Sequence, residues 1–154
     1  MKRRSIIIAF FIVLYDQIIK YFINSRFYDG KIVNVVDNFL YLTKVHNDGA
    51  AWSILSGNQL FLIIISIAAL VFLIFLQKKF KNKKRYIWIS FGLIYGGLIG
   101  NLVDRIINNY VIDYIKFVIF GYNYPVFNLA DIAIVIGFVM IIVAIIRGED
   151  KNEY

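Results

Sequence analysis

Residues 60–85 read LFLIIISIAALVFLIFLQKKFKNKKR, and this stretch decides the architecture. Leu60 to Leu76 carry no charge and reach the length that crosses a bilayer as a helix. Six basic residues then crowd into Lys78–Arg85 before the next apolar run begins at Tyr86. A greasy segment that stops at a basic cluster marks a membrane span ending in a cytoplasmic loop. Working outward, three more segments have the same character: Ser5–Ile23, Tyr86–Val103 and Leu129–Ile146. Lys2, Arg3 and Arg4 ahead of the first resemble the start of a signal peptide. Asp16 and Lys20 interrupt the apolar run, however, and no small-residue cleavage site follows, so a retained first span is expected. The expectation is one integral membrane domain over residues 1–154, an all-α four-helix transmembrane bundle.

Composition narrows the function classes. The chain of 154 residues is 60% apolar, with one proline and no cysteine, which excludes disulfides, a thiolate nucleophile and cysteine-ligated zinc. Its net charge of +7 sits largely in loops and is no footprint for nucleic acid. Eleven basic residues fall in the end segments and the middle loop, against five (Arg26, Lys31, Lys44, Arg105 and Lys116) in the other two loops. Both termini are therefore expected inside and the first and third loops outside. With that orientation Asp16, Lys20, Asn101, Asp104, Arg105, Asn128 and Asp131 all lie toward the outer ends of their spans. Asn47 and Asp113 lie in the outer loops themselves. Charges are costly in lipid, so this convergence is a functional-site signal.

The first outer loop, Asn24–Asn58, is too long for a plain connector. Asp29-Gly30 reads as a turn, and Ile32–Val36 and Phe39–Val45 are rich in β-branched and aromatic residues. A small extracytoplasmic β-sheet in that loop is expected on the membrane surface. Tyr21, Trp52, Trp88 and Tyr124 suit interfacial anchoring. Gly92, Gly96 and Gly100 form a smooth strip on span three, and span four offers Ala133 and Gly137 at the same spacing.

Two carboxylates sharing a site cannot both ionise cheaply, so one stays protonated while the other can accept a proton from water. Each aspartate alone also has a plainer reading. Asp131, three residues after a good N-cap at Asn128, suits a helix N-terminus, and Asp113 suits a solvated loop. Asp16 and Lys20, four apart, read as a helix-face ion pair, and Asp104 beside Arg105 reads as structural or orienting. His46 has no second ligand at metal-site spacing, and Gly96–Gly100 follows no strand and has no phosphate-binding lysine. A serine–lysine pair of Ser53 or Ser56 with Lys20 is a weaker hydrolytic scheme. The rival classes are a small proton- or ion-coupled transporter and a non-enzymatic assembly subunit. The first would need polar residues through the whole bilayer depth, and the second leaves the outer carboxylates idle.

Five motifs taken together resemble the bacterial lipoprotein signal peptidase (signal peptidase II) family. They are Asp16-Gln17 with Lys20; residues 47–52, NDGAAW; residues 96–105, GGLIGNLVDR; residues 111–114, VIDY; and residues 127–131, FNLAD. They follow the family's order over almost the whole chain. The resemblance implies an aspartic membrane peptidase that cuts prolipoproteins just before a diacylglyceryl-modified cysteine, at the outer face of the bacterial cytoplasmic membrane. It implies Asp113 and Asp131 as the catalytic pair. Asn47, Gly49, Asn101, Arg105 and Asn128 would bind or orient substrate, with Asp16, Lys20 and Asp104 in support. No metal or other cofactor is implied. Membrane lipids and globomycin-type inhibitors are the further partners. Trp52, Ile19 and Ile132 depart from the residues common in the family, with consequences expected for pocket shape or inhibitor affinity and none for the pair.

Overall fold

The computed structural model describes residues 3–50, 54–80 and 84–149; Trp52, Ser53, Lys81 and Lys83 lie outside them. Four helices account for the apolar segments: α1 (Arg3–Arg26), α2 (Gln59–Lys79), α3 (Arg85–Asn108) and α4 (Leu129–Ile146). All four are long and apolar enough to cross a membrane. Large apolar side chains such as Phe10, Phe72, Val135 and Ile145 point outward, as lipid-facing residues do. The interior is small by comparison. Phe91, Ile94 and Tyr95 of α3 meet Ala9 of α1, Leu73 of α2, and Ile141 and Ala144 of α4.

Lipid is as apolar as these side chains, so close packing and interhelical hydrogen bonds, rather than apolar burial, bind the bundle. Glycines on α3 provide the close approach. A Cβ on Gly96 would stand 2.6 Å from Ile12 Cβ, and one on Gly97 only 2.3 Å from the Ala130 carbonyl oxygen. The strip Gly92, Gly96, Gly100 therefore faces α1, in the order Ile8, Ile12, Asp16. This corrects the pairing suggested by the spacing of Ala133 and Gly137. It is Gly97, one residue off the strip, that admits α4, while Gly137 of α4 seats against Ile94 and Ser90. The same contacts make α1 and α3 parallel and α4 antiparallel to them.

The sheet exists and is wider than the first loop. Strands β1 (Val33–Val36), β2 (Leu40–Asn47), β3 (Val111–Ile119) and β4 (Tyr122–Asn123) form one antiparallel sheet in chain order. Half of it comes from the segment between α3 and α4, where the sequence patterning predicts only a loop. The reversal into β3 is made by Asn109 in the left-handed region (φ 62°), whose N–H bonds back to the Arg105 carbonyl; asparagine tolerates that conformation. Beyond β4, Phe127 pairs with Ile115, with N–H···O distances of 2.8 and 3.0 Å. That bridge sets the start of α4 beside the buried end of β3.

Candidate active site

Asp113 is a strand residue, not a solvated loop aspartate. It stands opposite Val45 in the β2–β3 ladder and is 3% exposed. Asn47 Nδ2 donates to its Oδ2 at 2.8 Å, and Asn128 Nδ2 donates to its Oδ1 at 2.7 Å. Burial is the main force raising the Asp113 carboxyl to about 7, and the nearby Asp131 charge adds to it. The two amide donors and the more distant Lys20 pull the other way. A carboxyl held there changes protonation around neutral pH.

Asp131 keeps the helix-terminal role its spacing suggested and gains another. Asn128 Oδ1 accepts the Asp131 N–H at 3.0 Å and Asp131 Oδ2 accepts the Asn128 N–H at 3.1 Å, a reciprocal capping box on α4. The other carboxylate oxygen accepts from Asn101 Nδ2 at 2.7 Å. Asn128, fully buried, thus touches both aspartates, one through its side-chain amide and one through its backbone. Its amide also reaches Asn101 Oδ1 at 3.1 Å.

Beneath this pair lies a charged layer. Lys20 Nζ is 2.8 Å from Asp16, 2.9 Å from Asp104 and 2.9 Å from Asn101 Oδ1, with all three charged groups buried. The expected Asp16–Lys20 pair is present. Asp104, however, turns to Lys20 and to the Ile112 N–H rather than to its neighbour Arg105. Asp16 also accepts the Ala130 N–H at 3.0 Å, tying α1 to the first turn of α4. Lys20 is therefore committed elsewhere, and Ser56 hydrogen-bonds Asp48, so these two do not form a serine–lysine pair.

Arg105 Nη2 donates to the Gly49 carbonyl at 3.1 Å, while the Gly49 N–H reaches Asn47 Oδ1 at 2.9 Å. Arg105 Nε is buried and has no hydrogen-bond partner among the described residues. A cleft of about 520 Å³ opens against Asn47 and Asp113, lined also by Thr43, Lys116 and Tyr124. All ten residues singled out in the sequence gather at the sheet end of the bundle. Toward the opposite end, Ser5, Gln77 and Tyr95 form an uncharged buried cluster, and Lys84 pairs with the buried Glu149.

Two supporting residues had no role assigned from sequence. Gln17 Nε2 bridges the Gly100 carbonyl and Asp104, and the Tyr114 hydroxyl accepts the Leu129 N–H at 3.2 Å. Both lay inside the quoted motifs, which was the available signal. Of the departures, Ile19 packs on Ile23, Ile112 and Tyr114, and Ile132 sits in the first turn of α4. His46 stacks on Tyr110 and faces Asp29.

Comparison with known proteins supplies the remaining finding. The family model described as Signal peptidase (SPase) II matches residues 8–147. A bacterial membrane enzyme solved at 2.3 Å by the in meso method is 38% identical, with TM-score 0.87, over 97% of this chain and 92% of that one. Another, solved the same way at 1.9 Å, is 39% identical, with TM-score 0.82, over 92% and 91%. This multi-pass membrane protein therefore belongs to the signal peptidase II family of peptidases.

Proposed function

We propose that the protein is an aspartic endopeptidase that removes signal peptides from diacylglyceryl-modified prolipoproteins, cutting just before the lipidated cysteine. Asp113 and Asp131 are the catalytic dyad. The observation that carries this reading is Asn128, which holds one carboxylate by its side chain and the other by its backbone. A dyad with one proton suits peptide hydrolysis, and a carboxyl at about 7 keeps that proton near neutral pH. The two groups titrate as a unit.

In the proposed reaction a water lies between the carboxyls. The ionised member takes its proton as the water oxygen attacks the scissile carbonyl carbon. The protonated member donates to the carbonyl oxygen. Collapse of the tetrahedral intermediate breaks the C–N bond, and a dyad proton passes to the departing cysteine amine. The Arg105 Nε–H, the Gly49 segment and Asn47 hold the substrate backbone, a recognition mode indifferent to side chains. Asn101 and Asn128 orient the dyad, and Asp16, Lys20 and Asp104 brace it from below. No cofactor enters this scheme.

The location of the site suits such a substrate. Acyl chains on the cysteine remain in lipid beside the exposed apolar helix faces, while the sheet end admits water. The basic segment after α2 supports an orientation with both termini in the cytoplasm and the dyad at the outer face of the bacterial cytoplasmic membrane. Globomycin-type inhibitors would occupy the same cleft.

The test uses purified protein and a diacylglyceryl-modified prolipoprotein. Wild type should release the signal peptide, and Asp113→Asn and Asp131→Asn should each lose about 100-fold or more in rate. Normal cleavage by either variant would sink the dyad. A topology reporter placing the Asp113 strand in the cytoplasm would sink the orientation.

A further inference from the structure

At the end of the bundle away from the dyad, a groove of about 600 Å³ lies between the first turns of α1 and α3, lined by Arg4, Ile7, Ile8, Arg85, Trp88 and Ile89. Because α1 and α3 run parallel, with Ser5 Oγ donating to the Trp88 carbonyl at 3.0 Å, both arginines lie in the first turns of their helices at the same level of the bundle. We propose that this groove binds one anionic phospholipid. Its phosphate lies between the two guanidiniums, and an acyl chain runs along the isoleucines and the Trp88 ring.

Charge complementarity carries the choice of occupant. No carboxylate lines the groove, and among the described residues neither Arg4 nor Arg85 has an ion-pair or side-chain hydrogen-bond partner. The contrast with the adjacent Lys84 is informative. It is already paired with Glu149 at 2.7 Å, whereas the two arginines that share the groove have no counter-charge among the described residues. Guanidinium is the group best shaped to grip phosphate oxygens in pairs. A choline or ethanolamine headgroup would bring a third cation to two arginines. A net-negative headgroup does not. The apolar half of the groove excludes a free phosphate as the natural ligand, since it would leave those side chains uncovered.

The experiment is a lipid titration of the detergent-purified protein, read by native mass spectrometry, with phosphatidylglycerol and phosphatidylcholine as probes. Wild type should retain one phosphatidylglycerol in preference to phosphatidylcholine, and millimolar inorganic phosphate should not displace it. Arg4→Gln with Arg85→Gln should weaken retention about tenfold or more. Lys78→Gln with Lys79→Gln removes equal charge outside the groove and should leave retention unchanged. Ile89→Trp fills the groove with both guanidiniums intact and should also weaken it. The last variant decides the matter if the double arginine variant fails to fold. Retention unaffected by filling the groove, equal loss from the two double variants, or displacement by phosphate alone would each overturn the proposal.

Discussion

Asn128 can be asked to give up one of its two tasks and keep the other. Serine caps helices about as well as asparagine, so Asn128→Ser preserves the acceptor for the Asp131 N–H and the backbone donor to Asp131. It removes the amide that donates to Asp113 at 2.7 Å and to Asn101 at 3.1 Å. A hydrogen bond to a charged group contributes about 1.5–3 kcal/mol, and one pKa unit corresponds to about 1.4 kcal/mol. The lost bond favoured ionised Asp113, so its pKa must rise, by about 1–2 units. The value of about 7 arises with the neighbouring Asp131 charge acting on Asp113. It therefore describes loss of the dyad's last proton, the alkaline limb of activity. Profiles of kcat/KM against pH, measured on a fluorogenic lipopeptide, should show that limb moving alkaline by about 1–2 units in the serine variant. The peak rate should also fall about tenfold, because the dyad is less firmly held. A thermal melt close to wild type confirms that the cap survives. A folded variant whose alkaline limb stays in place, or moves to lower pH, would refute the assignment of Asn128 as the amide donor that sets Asp113.

Other perturbations test the layers around it. Asp113 has its pKa raised from 3.8 to about 7, so the folded state binds the extra proton between those values and stability falls as pH rises through that window. Asp113→Asn is free of that penalty. Allowing for a weakened hydrogen-bond set, it should melt above wild type at pH 8 by the equivalent of about 2 kcal/mol, with the gap closing toward pH 4; a gap independent of pH would contradict this. Lys20→Met strands two buried carboxylates and should cost about 3–5 kcal/mol, while adding Asp16→Asn and Asp104→Asn should recover part of it, as read from melting in detergent. Gly97→Ala drives a methyl into the Ala130 carbonyl, 2.3 Å away, and should displace the first turn of α4. A stability loss of about 1–3 kcal/mol with a larger loss of kcat is expected, and unchanged turnover would show that the turn has freedom to move.

What could be read in advance divides by the range of the interaction. The four spans, the Asp29-Gly30 turn, the strands near Ile32–Val36 and Phe39–Val45 and the cap at Asn128 are local signals, and each has its counterpart in the structure. Strand β3 is just as rich in β-branched and aromatic residues, but its partner β2 lies more than 60 residues away in sequence. Nothing local announces that pairing. Burial of Asp113 follows from the same long-range pairing. The spacing of Asp16 and Lys20 revealed their pair, whereas Asp104 joining it depends on α1 and α3 being in register. For the glycine strip, periodicity identified a smooth face without saying which helix would use it. The roles of the aspartates came from family resemblance. Spacing alone favoured plainer readings, and the capping geometry of Asp131 is indeed present alongside its contact with Asn101.

The Asp16–Lys20 couple bears on how the protein is built. The two opposite charges, 2.8 Å apart on one face of α1 in the finished fold, are four residues apart on a single helix. They can therefore pair before any other helix is made, offering the bilayer a compact dipole instead of a bare ion. Asp104 comes more than 80 residues later in the chain, on a helix whose glycines let it pack closely against that face. Its arrival replaces lipid around Lys20 with a second carboxylate and the Asn101 amide oxygen. Synthesis order and charge neutralisation thus run in step. The first helix carries one counter-ion of its own, which it keeps, and a second is added by the helix that also brings Asn101 to Asp131.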